Sequence, residues 1–381
     1  MRNFILVFII FLDFLNAQNR VITTGVPFLM ISPDARAAGM GELGVATSAD
    51  AYSQQWNPAK YIFSSSERGL ALSYTPYLSK LVDDIFLGNL NYYKHLNDRS
   101  SWAFSLKYFS LGDIQFNELI GGSIVDQGLE RPNELTLDFS YSLKLSPFFS
   151  MGVAGRYIRS DLKITSESGS KSANSLGVDV SAFYKGQEFK LINKKGLIRL
   201  GVNISNIGPR LNYDVGGQKN FIPTNLKFGS GLDMILDSSN IFGVYIEFNK
   251  LLVPSPVSSY NELGVFDGYK QPDISFINGI LTSFNDAEDG IKEEFQEVTW
   301  AIGLEYRFVE SFSIRSGYFN ENKNKGSRKY LTMGTGFDLG FIEIDISYLF
   351  STSKVRNPLE NTIRFSTTFK LENKQVVDDP N

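Results

Sequence analysis

Apolar and polar residues alternate one by one along most of this chain. From Glu134 to Leu145 the odd positions read Leu135, Leu137, Phe139, Tyr141, Leu143, Leu145, and the even positions Glu134, Thr136, Asp138, Ser140, Ser142, Lys144. The same period of two recurs at Trp300–Phe308 and Ile363–Leu371, and again at 102–108, 198–204 and 242–248. Successive side chains on a strand point to opposite faces, so each segment carries one apolar and one polar row. The pattern predicts strands at 69–75, 84–94, 101–111, 134–145, 149–160, 173–185, 196–206, 224–236, 241–250, 298–308, 312–319, 330–339, 341–350 and 361–371. That is about fourteen, an even number, and most reach the roughly nine to eleven residues that a tilted membrane-crossing strand needs.

The connections alternate too. Short ones, such as Ser146-Pro147-Phe148 and Asp237-Ser238-Ser239-Asn240, follow even-numbered strands. Long ones, 112–133, 207–223 and 251–297, follow odd-numbered strands. Outer-membrane barrels combine short periplasmic turns with long outer loops. On that rule 95–100 and 186–195 are periplasmic and 251–297 lies outside the cell. The expected fold is therefore all-β, a transmembrane antiparallel barrel of about fourteen strands. A propeller would show a repeat of roughly 40–50 residues, and none is visible. A soluble sandwich of this size would be divided by linkers, and none is seen.

The first residues agree with export. Arg2 precedes an apolar run, Phe4 to Leu12, and Leu15-Asn16-Ala17 ends in a small residue. This is the build of a secretory signal peptide, too short for a spanning helix. The expected division is a signal peptide at 1–17, a pre-barrel segment at 18–68, the barrel at 69–371 and a periplasmic tail at 372–381. The pre-barrel segment lacks alternation, and a short helix is expected at 48–55. A plug folded into the lumen suits this segment, since a barrel this wide would otherwise leak.

Composition narrows the chemistry. The chain has no cysteine and a single histidine, His95, which excludes thiol chemistry and His-rich metal sites. His95 falls in an expected turn, as a surface residue. The 37 basic and 41 acidic residues give −4, which favours neither nucleic acid nor a polybasic membrane grip. Aromatics make up 14% of the chain, yet mean hydropathy is only −0.12, as two-faced strands require. Gly39-Met40-Gly41-Glu42-Leu43-Gly44 matches a dinucleotide-binding fingerprint by letter, but no buried strand precedes it. Its glycines are expected to serve tight turns in a crowded lumen. The run 285–290 lacks the acids of a calcium loop at the third and twelfth positions. No catalytic residue, cofactor or metal is expected. Ile291–Val298 could form an amphipathic turn with Ile291 and Phe295 on one face, as a contact surface or as local packing on the rim.

One stretch carries a resemblance. Ser32-Pro33-Asp34-Ala35-Arg36-Ala37-Ala38-Gly39-Met40-Gly41, then 44–50, Trp56-Asn57-Pro58-Ala59-Lys60-Tyr61 and 72–78 resemble the PorV family of the type IX secretion system of Bacteroidota. The likeness is specific over about residues 25–110. Beyond that it rests on strand pattern and length. It implies a fourteen-stranded barrel related to FadL transporters, without catalysis. It also implies partners: the translocon barrel (SprA or Sov), the C-terminal domains of secreted cargo, and the attachment complex with the sortase PorU. In gliding members surface adhesins are among the cargo. The paralogous scaffold PorQ and a FadL-like transporter of hydrophobic small molecules are the alternatives. Outer loops would make the partner contact, with Ile114, Phe116 and Ile120 in one and Val265, Phe266, Phe276 and Ile277 in another. Lipid of the outer membrane would surround the rest.

Overall fold

A strand with one greasy and one polar row can sit in a bilayer only if the sheet closes on itself and leaves no bare edge. The computed structural model, which describes residues 21–120, 122–162, 172–213, 219–308, 311–353 and 357–373, shows that closure. The barrel strands are β1 (Ser66–Pro76), β2 (Ile85–Asn97), β3 (Ser100–Leu111), β6 (Asn133–Ser146), β7 (Phe149–Asp161), β8 (Ala173–Leu191) and β9 (Lys194–Ile207). They continue with β10 (Asn225–Ile235), β11 (Asn240–Leu251), β14 (Thr299–Phe308), β15 (Phe312–Asn320), β16 (Lys329–Asp338), β17 (Ile342–Ser351) and β18 (Ile363–Asn373). Each pairs antiparallel with its neighbours, and β1 closes the ring on β18 through pairs such as Leu72↔Thr367. The fourteen-stranded antiparallel barrel expected from the alternation is the fold.

The rows face as the lipid demands. On β6, Leu137, Phe139 and Tyr141 point outward, with Phe139 56% exposed, whereas Thr136, Asp138 and Ser140 are buried inside. The outer faces carry cross-strand aromatic pairs, Trp102 with Phe139 at 5.9 Å and Trp300 with Tyr318 at 5.6 Å, each of which adds to sheet stability.

Three local expectations are corrected. The long connection after β3 contains a hairpin, β4 (Ile114–Ile120) with β5 (Ser123–Glu130), and the one after β11 contains β12 (Val257–Tyr260) with β13 (Phe266–Lys270) and two helices. Glycine interrupts the alternation in both, which hid these strands. The expected turn at 186–195 is mostly strand, because β8 runs to Leu191 and β9 starts at Lys194. The helix expected at 48–55 is shorter and ends one residue later, at Ser53–Trp56; Asp50 instead organises a turn, accepting from Tyr52 N and Ser53 Oγ. Residues 1–17 and most of 372–381 lie outside the described residues.

All long connections gather at one rim and all short turns at the other, because consecutive barrel strands are antiparallel neighbours. Residues 21–65 run between the rims through the lumen. Gly25 N donates to Phe221 O at the long-loop rim, and Ser64 Oγ meets His95 Nε2 at the short-turn rim, directly before β1.

Candidate functional site

The lumen is occupied by a segment that uses its polar groups twice, to hold its own turns and to grip the wall. Asp34 caps the short helix Ala35–Ala38 through Ala37 N at 2.7 Å, while its other oxygen accepts Trp56 Nε1 at 2.8 Å. Asn57 accepts from Ala59 N to start the 3₁₀ turn Pro58–Phe63, and its amide donates to Val45 O and to Ala182 O on β8. Pro58 suits that first turn, where no backbone donor is needed. The helix Ala35–Ala38 was not visible in the sequence; Asp34 before Ala-Arg-Ala-Ala is its one signal.

The wall replies with charge. Arg36 forms a two-pronged pair with Glu305 on β14, at 3.0 Å for each prong, and reaches Asp50 at 2.8 Å. Glu305 also accepts Arg315 Nε at 2.8 Å, and Arg315 continues to Asp345 on β17. Glu247 on β11 accepts Gly44 N and Val45 N at 2.8 and 2.9 Å. Arg364 on β18 and Tyr330 on β16 both hold Glu42. Buried charges stay ionised most readily when paired and hydrogen-bonded, as these wall residues are. Lys107 on β3, Lys227 on β10 and Glu134 on β6 are buried on the same inner surface with Gln55, the Trp56 ring and Ser160 as partners instead of an opposite charge. Lys60 Nζ donates to Gly44 O and Thr47 Oγ1 without a carboxylate contact, and burial pulls its ammonium down to about 8.

Backbone meets backbone where glycine allows it. A Cβ on Gly317 would lie 2.1 Å from the carbonyl carbon of Met40, and one on Gly201 2.0 Å from Val45 O. Gly41 has φ +80°, which favours glycine. In the fingerprint-like run Gly39 and Gly41 lie close against wall backbone at Gly334 and Tyr318, and Gly44 makes room for the Trp56 ring of the filling segment itself. Ser32, Pro33, Asp34, Arg36, Gly39, Gly41, Trp56, Asn57 and Pro58 are all buried in this filling. His95 is corrected from an exposed turn residue to a buried one: β2 extends to Asn97, so its inward row includes His95, which contacts Tyr61 O at 2.8 Å.

The long-loop rim is different in kind. Ile114, Phe116 and Ile120 lie along β4, and Ile114 is exposed. Val265 and Phe266 are exposed at the β12–β13 hairpin, where Phe266 packs on Tyr260 and Tyr269 with ring centroids at 6.1 and 5.1 Å. Ile277 is exposed on the helix Phe276–Thr282, whereas Phe276 is half-buried. Leu263, Leu281 and Phe284 are exposed beside them, and sequence reasoning missed all three. The spacing of 277, 281 and 284 carried the signal, one apolar stripe at helical period.

The helix Ile291–Glu297 turns Ile291 and Phe295 outward, each 73% exposed. Its other face explains the choice: Glu293, Glu294 and Glu297 are buried against Lys250 and Lys325. The same helix carboxylates hold the backbone of the acidic run as well, since Glu294 accepts from Asp286 N and Ala287 N, and Glu293 from Asp289 N. Among the described residues no group of three or more acids or histidines is placed to hold a metal.

Comparison with known proteins agrees with this architecture. A family model described as "Type IX secretion system protein PorV" matches residues 14–258. No curated protein matches the chain. Among solved structures, the Pseudomonas putida toluene transporter TodX superposes with a TM-score of 0.51 at 13% identity, covering 93% of this chain and 99% of the other. The CymD monoaromatic hydrocarbon channel gives 0.50 at 12% identity, over 90% and 99%. A Pseudomonas aeruginosa FadL homologue gives 0.46 at 12% identity, over 93% and 100%. At such identities the first two likenesses speak for the fold alone. The barrel and the matched family together assign the protein to the outer membrane of a Gram-negative bacterium. By the family model, which spans more than half of its length, this chain belongs to the PorV family of type IX secretion system proteins.

Proposed function

We propose that this barrel binds the C-terminal domain of secreted cargo as it leaves the translocon barrel, SprA or Sov, and delivers it to the attachment complex containing the sortase PorU. The protein does this as a carrier, without catalysis, in a member of the Bacteroidota with its long loops outside the cell. The observation that supports the reading is the apolar long-loop rim. Leu263, Val265, Phe266, Ile277, Leu281, Ile291 and Phe295 stand in water although the lumen and loop bases have a packed core of their own. Exposed apolar side chains grouped on loops are the usual mark of a partner surface. The segment at 21–65 acts as a plug, held by Arg36, Glu42 and Glu247, so that cargo docks on the rim instead of crossing the barrel. The ionic lining of the lumen also weighs against passage of hydrophobic small molecules.

The test is deletion of residues 255–285 in a barrel that still inserts. Loss of cargo attachment, with cargo retained at the translocon, is the expected result. Normal secretion and attachment would overturn the proposal.

A further inference from the structure

The short-turn rim has one connection unlike the others. At β6–β7 the flanking strands accompany the hairpin nearly to its turn, with Ser100↔Leu143 and Lys144 N donating to Arg99 O on one side and Phe149↔Tyr184 on the other. The β8–β9 hairpin instead overhangs. Pairing of β7 with β8 ends at Phe149↔Tyr184, with Lys185 N donating to Phe148 O, whereas β8 and β9 continue to Leu191↔Lys194. On the other side β10 accompanies β9 down to Ile235↔Lys195. Among the described residues no strand pairs with the far edge of Gly186–Leu191. A cleft of about 810 Å³ lies beside the overhang, lined by Phe189, Lys190, Lys194, Lys195, Leu236 and Asp237, among others.

The side chains give the bare edge a character. Lys190, Lys194 and Lys195 share the overhang with one acid, Glu188, which pairs with Lys195 at 2.8 Å, and Lys194 also donates to Leu236 O at 2.7 Å; Lys185 instead lies over the Phe63 ring of the filling segment. Lysines and the register shift between Lys185 and Glu188 would by themselves keep a bare edge from pairing indiscriminately. The tip works in the opposite sense. Ile192 is 85% exposed and sits at φ +56°, where a β-branched residue is strained. Phe189 is exposed nearby. An apolar side chain this exposed adds little to the packing of the barrel itself.

We propose that the β8–β9 overhang is a docking strand for an extended acidic segment of a periplasmic protein, which adds to the edge of Gly186–Leu191, pairs its carboxylates with the lysines and covers Ile192. Backbone pairing supplies affinity and the charges supply selectivity, as in strand-addition complexes generally. The proposal rests on the orientation given above, short turns toward the periplasm, and not on cargo binding.

The test uses the full-length protein in its native membrane, with a photo-crosslinking phenylalanine derivative at position 192. The expected result is one discrete protein adduct whose attachment point maps to an Asp/Glu-rich segment. The adduct should fall at least tenfold with the Lys190→Glu, Lys194→Glu, Lys195→Glu triple variant. Ile192→Asn, with the derivative moved to position 189, should also weaken it while leaving barrel stability equal or higher, because asparagine tolerates that φ. The same derivative at Ser239 on the neighbouring turn should give no adduct. Absence of a protein adduct, an adduct with phospholipid only, or one unaffected by charge reversal would overturn the proposal. Labelling of Ser239→Cys by a membrane-impermeant maleimide on intact cells would show instead that the orientation is wrong.

Discussion

Arg36 and Glu305, separated by 269 residues in sequence, meet as a two-pronged ion pair inside the barrel. Arg36 belongs to the filling segment and Glu305 to β14 in the wall, and both are buried. Breaking such a pair from one side leaves a buried charge uncompensated, which costs about 3–5 kcal/mol. Glu305→Ala should be worse than Arg36→Ala, because it leaves Arg36 with Asp50 alone and also takes one of their carboxylates from Arg315 and Arg307, which keep Asp345 and Asp233. Thermal unfolding in detergent would rank the two. Single-channel recording should show ion leak in either variant and none in the wild type; a tight, equally stable Arg36→Ala barrel would refute the anchoring role.

The close backbone contacts predict steric sensitivity where no side chain exists. Gly317→Val on β15 would push into the Met40 carbonyl, and Gly201→Val into Val45 O. Overpacking of this kind costs about 1–3 kcal/mol or more. Both variants should insert as barrels yet expose the filling segment to added protease. Gly155→Val, where a Cβ would meet nothing within 4 Å, should behave as wild type.

Trp56→Phe keeps most of the buried ring and removes one donor. Asp34 then loses its 2.8 Å partner while remaining fully buried. An unsatisfied buried acceptor costs about 1–3 kcal/mol, more when charged. A drop in unfolding temperature is expected, and a double-mutant cycle with Asp34→Ala should show strong coupling between the two positions. Additive losses would mean that the indole contributes by packing alone.

Lys60 predicts a pH dependence. Its value in the folded state, about 8, is below the ordinary lysine value of 10.5 because burial disfavours the charge. Between those values the unfolded chain holds the proton and the folded one does not, so stability rises with pH across that window. Below about pH 8 both states are protonated and the penalty, ~3 kcal/mol, is constant. The stability difference between wild type and Lys60→Met should therefore shift in favour of wild type from pH 8 to 10.5. A difference that stays flat would show that the ammonium is not penalised by burial.

The fold was legible because lipid and lumen impose opposite demands on alternate residues. Glu134–Leu145 states those demands without interruption, and β6 formed there within one residue at each end. Boundaries failed where the demand ends. Below the bilayer nothing requires alternation, so the β8–β9 overhang read as a turn, and above it glycines broke the pattern of β4–β5 and β12–β13. His95 was misjudged for the same reason: its strand runs two residues past it to Asn97.

The candidate surface was half legible. Apolar residues in a loop, such as Val265 and Ile277, are conspicuous in sequence, but whether they stand in water depends on what the loop folds against. Phe276 and Ile277 are adjacent, and only the helix orientation half-buries one and exposes the other.

By itself, then, the sequence determined the period, the number of spanning strands, the alternation of long and short connections and the likeness of its opening to a secretion family. Those are local properties, each set by a few neighbouring residues facing one solvent or another. Only the tertiary structure decided which charges meet. Arg36 with Glu305, Glu42 with Arg364 and Glu247 with the amides of Gly44 and Val45 are pairings between a filling segment and distant strands, and they exist because ring closure brings the inward rows to one shared interior.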